Sequence, residues 1–109
     1  MRIAIIDYGA GNTQSVKYAL KRLGCNSVLT SDKEVISSSD KVIFPGVGQA
    51  TSAMRKLKSK GLDLLIPQLK QPVLGICLGM QLMCNFSEEG NTDCLKIFDS
   101  NVKRFNNSL

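Results

Sequence analysis

Val73-Leu74-Gly75-Ile76-Cys77-Leu78-Gly79-Met80-Gln81 decides the fold of this chain. It reads as a buried strand that turns sharply at a cysteine and leaves at once as a helix. Pro72 suits the strand's entry, where no ladder N–H is needed. Gly75 and Gly79 flank Cys77 at minus two and plus two, the G-x-nucleophile-x-G spacing of a nucleophile elbow with Cys for Ser. Glycine is demanded there because strand and helix approach so closely that a Cβ would clash. The turn pushes the thiol out at the carboxyl end of the sheet. It also sets the sulfur at a helix N-terminus, where partial positive charge and free N–H groups favour the thiolate. A buried cysteine at a strand end fits the same spacing, since free Cys is among the most buried residue types. Spacing alone leaves both readings open.

Outward from this stretch, strands and helices alternate. Residues 2–6 are continuous and β-branched, as in a parallel strand covered on both faces. Asp7-Tyr8-Gly9-Ala10-Gly11-Asn12 is a turn cluster, with Asn12 placed to cap a helix over 13–23. That helix carries Val16, Ala19, Leu20 and Leu23 at helical spacing and stops at Gly24. A strand over 27–29, a weak helical turn at 33–36 and a strand over 41–44 follow, the last closed by Pro45-Gly46-Val47-Gly48. Helices are expected over 49–60 and 62–69, the elbow strand over 73–76, and its helix to about Phe86. Beyond Ser87-Glu88-Glu89-Gly90 the pattern weakens, leaving two short strands over 96–98 and 101–105. Alternation of this kind implies right-handed βαβ units in an α/β, doubly wound, mostly parallel sheet of flavodoxin-like layout. Ligands bind such sheets at the carboxyl ends of the strands. The segments after the first, third and fourth strands all belong to that edge, and all are marked by glycine. That coincidence favours a functional Cys77.

The totals narrow the class. With 109 residues and 43% hydrophobic content the chain is one globular domain at most. No apolar run reaches transmembrane length, and the first residues are too short a run for a signal peptide, so a cytoplasmic protein is expected. The four cysteines (Cys25, Cys77, Cys84, Cys94) form no C-x-x-C pair and there is no histidine. Neither a zinc site nor a disulfide is expected. A net charge of +5 raises nucleic-acid binding. Yet Arg55, Lys56, Lys58 and Lys60 fall on one amphipathic helix with no aromatic interleaved for base stacking. They read as a solvated face, and neither nucleic acid nor membrane is expected as a partner.

Two chemistries remain. Gly9-Ala10-Gly11 after the first strand, with Asp32 about twenty residues on, opens like a dinucleotide fingerprint. Gln14 stands where its third glycine belongs, and the G-K-[ST] of a phosphate loop is missing, so this is the weaker reading and no cofactor is expected. The stronger is acyl transfer by a cysteine nucleophile, with Leu78 N–H and an N–H from the Pro45–Gly48 turn as oxyanion donors. That chemistry needs a general base. Without histidine the Cys-His pairing cannot be built from these residues, and Glu88 and Glu89 would be unusual activators of a thiol.

Ile6-Asp7-Tyr8-Gly9-Ala10-Gly11-Asn12, Phe44-Pro45-Gly46-Val47-Gly48 and Gly75-Ile76-Cys77-Leu78-Gly79-Met80-Gln81-Leu82, in that order, resemble the triad (class I) glutamine amidotransferases. Within that family they are most similar to the glutaminase-subunit branch serving imidazole glycerol phosphate synthesis. Ser87–Gly90 and Val102–Phe105 fit the same branch. The resemblance implies that Cys77 attacks the side-chain amide of glutamine, forming a glutamyl thioester and releasing ammonia. It implies an oxyanion hole from the backbone of Leu78, Val47 and Gly48, and contacts to glutamine from Gln81 and Glu89. It further implies a separate (β/α)8 synthase subunit that receives the ammonia for histidine biosynthesis, with Gly9–Asn12 on the subunit-facing surface. A paralogous ammonia donor to another synthase, such as one aminating a sugar, or a non-catalytic binding module, fits the same residues.

Family members are longer and carry the triad His and Glu in their C-terminal part, so the expectation is the amino-terminal part of such a domain. Base catalysis contributes roughly 10²–10⁴-fold, so weak or no glutaminase activity is expected of this chain alone. An unpaired sheet edge or uncovered apolar face would favour self-association.

Overall fold

The computed structural model describes residues 1–105. Its centre is β1 (Ile3–Ile6), whose four residues are all buried. Both faces of β1 are covered, as its unbroken apolar run requires. β1 pairs in parallel with β2 (Ser27–Thr30) on one side and β3 (Lys41–Phe44) on the other. β4 (Val73–Gly75) adds in parallel beyond β3, giving the order β2-β1-β3-β4. The order reverses between β1 and β3, so the crevice outside their carboxyl ends is the position where such sheets bind ligands.

The helices divide between the two faces. Ala4, Ile6, Val42 and Phe44 pack under α2 (Lys33–Ser38), α3 (Ala50–Ser59), α4 (Leu62–Leu65) and α5 (Leu78–Leu82), which contribute Ile36, Ala53, Leu57, Leu62 and Leu82. Ile3, Ile5 and Ile43 face the other way, towards Val16 and Leu20 of α1 (Thr13–Arg22). This is the doubly wound α/β arrangement expected from the alternation.

Local signals explain most boundaries. Asn12 caps α1, its side chain accepting from Ser15 N–H at 3.4 Å. Asp32 caps α2, accepting from Glu34 N–H at 2.9 Å and Val35 N–H at 3.3 Å. α4 tightens into a 3₁₀ turn over Ile66–Gln68, where Pro67 supplies no N–H. Leu23 departs from expectation: it lies beyond the last turn of α1, just before the left-handed Gly24, and is 77% exposed.

The C-terminal quarter departs further. The elbow strand ends at Gly75 and its helix at Leu82, short of Ile76 and Phe86. No strand forms over 96–98. Instead Leu95, Lys96, Ile97 and Phe98 turn their N–H groups back onto the carbonyls of Leu82, Cys84 and Met83, at 2.8–2.9 Å. Those carbonyls lie at the end of α5 and need external donors. A small second sheet forms from β5 (Phe86–Ser87), β6 (Thr92–Asp93) and β7 (Asn101–Val102), in the order β6-β5-β7. β7 covers only the start of the strand expected over 101–105.

Candidate active site

Cys77 occupies a backbone conformation that non-glycine residues rarely adopt, φ 53° and ψ −123°. Gly79 N–H donates to Ile76 C=O at 3.0 Å, closing a turn with Cys77 at its second position. Those angles are those of the first central residue of a type II′ turn, where glycine is usual. A cysteine held there is a strained residue, and strain of this kind gathers at functional sites. The thiol is free and exposed.

The flanking glycines are sterically fixed. A Cβ on Gly79 would land on the Phe44 carbonyl oxygen, with Phe44 C at 2.8 Å and Pro45 C at 3.0 Å. A Cβ on Gly75 would lie 2.7 Å from Met83 Sδ and 2.8 Å from Met80 Cα. Strand β3, the elbow and α5 therefore meet backbone to backbone. This close approach is what aims the cysteine outward rather than into the core.

The turn after β3 lies directly against the elbow. Leu78 N–H donates to Gly46 C=O at 3.1 Å. Pro45 and Gly46 are buried, whereas Val47 and Gly48 are exposed, the latter with φ +95°. Cys77, Leu78, Val47 and Gly48 are thus brought to one place at the carboxyl edge of the sheet. Gln81 follows one helical turn after the cysteine, half-buried, its N–H donating to Cys77 C=O at 3.3 Å. Glu89 reaches the same segment from the second sheet: its Oε1 accepts from Ala50 N–H at 3.4 Å, at the first residue of α3. Gln49 makes no side-chain cap there, so the Glu89 carboxylate stands in for one. Glu88 is turned elsewhere, accepting from Arg104 N–H at 2.9 Å.

Sequence spacing gave no sign of Tyr8. It belongs to a turn cluster yet is only 1% exposed. Its ring packs on Phe44 with centroids 5.5 Å apart, and its hydroxyl donates to Pro45 C=O at 2.9 Å, spanning the β1–β3 crevice. Thr51 and Thr92 also join across α3 and β6 by a hydroxyl–hydroxyl hydrogen bond. That pair floors an open cleft of about 400 Å³ lined by Arg55, Lys58, Asn91 and Asp93.

The fingerprint-like residues are otherwise employed. Asp32 caps α2, Gly9 C=O accepts from Lys56 Nζ at 2.8 Å, and Gly11 packs against the Pro45 ring. Of the remaining cysteines, Cys94 is buried with its thiol directed at Thr92 C=O. Burial pushes that thiol's pKa up, assisted by Cys84 and Asp93. Among the described residues no cluster of His, Cys, Asp or Glu is gathered to hold a metal, and no helix is long and apolar enough to cross a membrane.

Similarity to known proteins extends over nearly the whole chain. The imidazole glycerol phosphate synthase subunit HisH of Bacteroides fragilis (strain YCH46) is 67% identical over 105 residues, covering 96% of this chain and 54% of that protein. The HisH subunit of Haemophilus influenzae (strain ATCC 51907 / DSM 11121 / KW20 / Rd) is 51% identical over 104 residues, covering 95% and 52%. The chain therefore spans about half the length of the curated relatives it matches. A solved structure described as a glutamine amidotransferase superposes with a TM-score of 0.77 at 21% identity, over 93% of this chain and 56% of that one. At that identity the superposition speaks for the fold alone. The family described as "Glutamine amidotransferase class-I" matches residues 4–105, taking in the main sheet except the first residue of β1, the elbow and the Pro45–Gly48 turn. The chain belongs to the class-I glutamine amidotransferase family.

Proposed function

We propose that this chain forms the nucleophile-bearing part of a glutaminase that supplies ammonia to a synthase. Cys77 Sγ, as thiolate, attacks the side-chain amide carbon of glutamine. The C–N bond breaks, the departing nitrogen takes up a proton as ammonia, and a glutamyl thioester remains. Water then cleaves the C–S bond, giving glutamate and the free thiol. The observation that carries the reading is the strained, exposed Cys77, pinned by Gly75 and Gly79 at the carboxyl edge of a parallel sheet.

The tetrahedral intermediates need donors at their oxyanion, and Leu78 N–H is the natural first one. In this structure it is engaged by Gly46 C=O. Turning the Gly46–Val47 peptide would withdraw that carbonyl and bring Val47 N–H towards the thiol. One backbone movement would thus release one donor and supply another. Gln81 and Glu89 border the same segment and are proposed as contacts for glutamine, Glu89 for its α-amino group. With no histidine among the 109 residues, the base and the proton donor for the leaving ammonia come from outside them. The chain alone is then a weak glutaminase.

The proposed recipient of the ammonia is a (β/α)8 synthase subunit, in a cytoplasmic heterodimer that makes imidazole glycerol phosphate for histidine biosynthesis. What supports a synthase partner is that the relatives are named as subunits of imidazole glycerol phosphate synthase. The test is covalent capture of Cys77 by a glutamine analogue with an electrophilic ketone at the amide position, read by peptide mass spectrometry. Glutamine should protect Cys77 and asparagine should not. Equal labelling with and without glutamine would overturn the substrate assignment.

A further inference from the structure

We infer that Thr51 and Thr92 are positioning residues for glutamine: their joined hydroxyls hold the turn after β5 against the start of α3, so that the Glu89 carboxylate stands ready for the ligand's α-ammonium group. The inference deepens the glutaminase reading above and rests on it.

Two links join α3 to the segment between β5 and β6, one residue apart on the helix. Glu89 Oε1 accepts from Ala50 N–H at 3.4 Å, and Thr51 Oγ1 is hydrogen-bonded to Thr92 Oγ1. Counting protons orders the second link. Thr92 has one hydroxyl hydrogen and two backbone acceptors within reach, Glu89 C=O and Gly90 C=O, each at 3.3 Å. Its hydrogen serves those carbonyls, so Thr51 is the donor to Thr92, and the chain runs from the helix through both hydroxyls to the Glu89–Gly90 backbone. Glu89 is held on its other side as well: its N–H donates at 3.2 Å to the hydroxyl of Ser87, which is wholly buried. Asn91 N–H closes the turn onto Glu88 C=O at 3.4 Å. The backbone of Glu89 is thus fixed from both sides by hydroxyls, with α3 as the reference.

The carboxylate itself is left available. A charge-assisted hydrogen bond is ordinarily about 2.7–2.9 Å long, so the 3.4 Å contact to Ala50 N–H commits Glu89 weakly. A carboxylate has about four acceptor sites, and this contact occupies one. An ammonium group, a pure donor, suits what remains. Packing does not account for the hydroxyls. Valine has the shape of threonine, and Thr51 is exposed on the floor of the cleft, where apolar contact alone would ask for no oxygen. The turn is also built around that oxygen: a Cβ on Gly90, whose φ is +71°, would run into Thr51 Oγ1.

The test is protection of Cys77 against iodoacetamide on the full 109-residue chain, read by peptide mass spectrometry. The protecting ligands are glutamine and glutaramate, which is glutamine without its α-amino group. In Thr51→Val the glutamine concentration that half-protects should rise about fivefold, the effect of one lost hydrogen bond. The value for glutaramate and the unprotected alkylation rate should stay at wild type. Thr51→Ser, which restores the hydroxyl, should return the wild-type value for glutamine, and Thr92→Val should repeat the loss. An equal rise for both ligands, no rise for glutamine, or a Thr51→Ser as weak as Thr51→Val would overturn the positioning role while glutamine still protects the wild type. Failure of glutamine to protect the wild type would overturn the glutaminase reading and this inference with it.

Discussion

Gly79→Ala tests the elbow most directly. The added methyl meets the Phe44 carbonyl oxygen, Phe44 C at 2.8 Å and Pro45 C at 3.0 Å, all of them backbone atoms. No side chain can swing away, so relief requires β3 and α5 to separate. Overpacking in a close-packed core costs about 1–3 kcal/mol, and this contact belongs at the top of that range. Alanine returns at most about 1 kcal/mol through helix propensity, leaving a net loss near 2 kcal/mol. With a urea m-value of about 1–1.5 kcal/mol/M, the lower part of the range for small proteins, the unfolding midpoint should fall by about 1.5 M. Equilibrium urea unfolding followed by far-UV circular dichroism reads the shift. Gly24→Ala is the control: its φ is +77° but no atom lies within 4 Å of the added Cβ, so only left-handed strain of about 1–2 kcal/mol applies. A Gly79→Ala midpoint equal to wild type would refute the close approach that places Cys77.

Thiol labelling with a small neutral alkylating reagent should modify Cys77 first and Cys94 last, since Cys77 is exposed while Cys94 is buried with its pKa pushed up; timed peptide mapping checks the order. Tyr8 predicts an alkaline limit. Its folded-state pKa is raised, so its contribution to stability is complete below the unfolded tyrosine value of about 10 and is lost as pH climbs past that value. Urea midpoints measured from about pH 9 to about pH 11 should fall more steeply for wild type than for Tyr8→Phe. Asp32→Ala should cost about 1 kcal/mol as a lost N-cap, again by urea unfolding. β4 is the last strand of its sheet among the described residues, and Leu74 on it is 58% exposed beside a small apolar hollow lined by Ile43, Pro72 and Val73. The chain should therefore self-associate at micromolar concentration in sedimentation, and Leu74→Lys should reduce that association.

The parallel sheet was legible because its strands carry the signal themselves. Residues 3–6 and 42–44 are short apolar runs closed by Gly- or Pro-marked turns, and the helices between them show helical spacing. Legibility failed where long-range bonds overrode local preference. Ile97 and Phe98 have apolar side chains suited to a strand, but the N–H groups of residues 96–98 are taken by carbonyls at the end of α5, 12 to 15 residues earlier, in no pattern that spacing encodes. The strands at Phe86–Ser87 and Thr92–Asp93 are two residues each, too short to show any period.

The site divides along the same line. Cys77 and its glycines were readable because the constraint is local: a tight turn between adjacent elements writes itself into five consecutive residues. The relation of Leu78 to Gly46 is not local, since 32 residues separate partners that meet only when β3 and β4 pair. From sequence, Leu78 N–H looks like a free donor, because the residue after an elbow nucleophile has no helical partner of its own. The fold supplies a competing acceptor, Gly46 C=O, next to the Pro45 carbonyl that accepts from the Tyr8 hydroxyl of a third segment. A motif can therefore name the groups proposed for the chemistry while leaving unread whether they are available. Availability is set by contacts among Tyr8, Gly46 and Leu78, three positions whose only common feature in the sequence is that each lies just beyond a strand's carboxyl end.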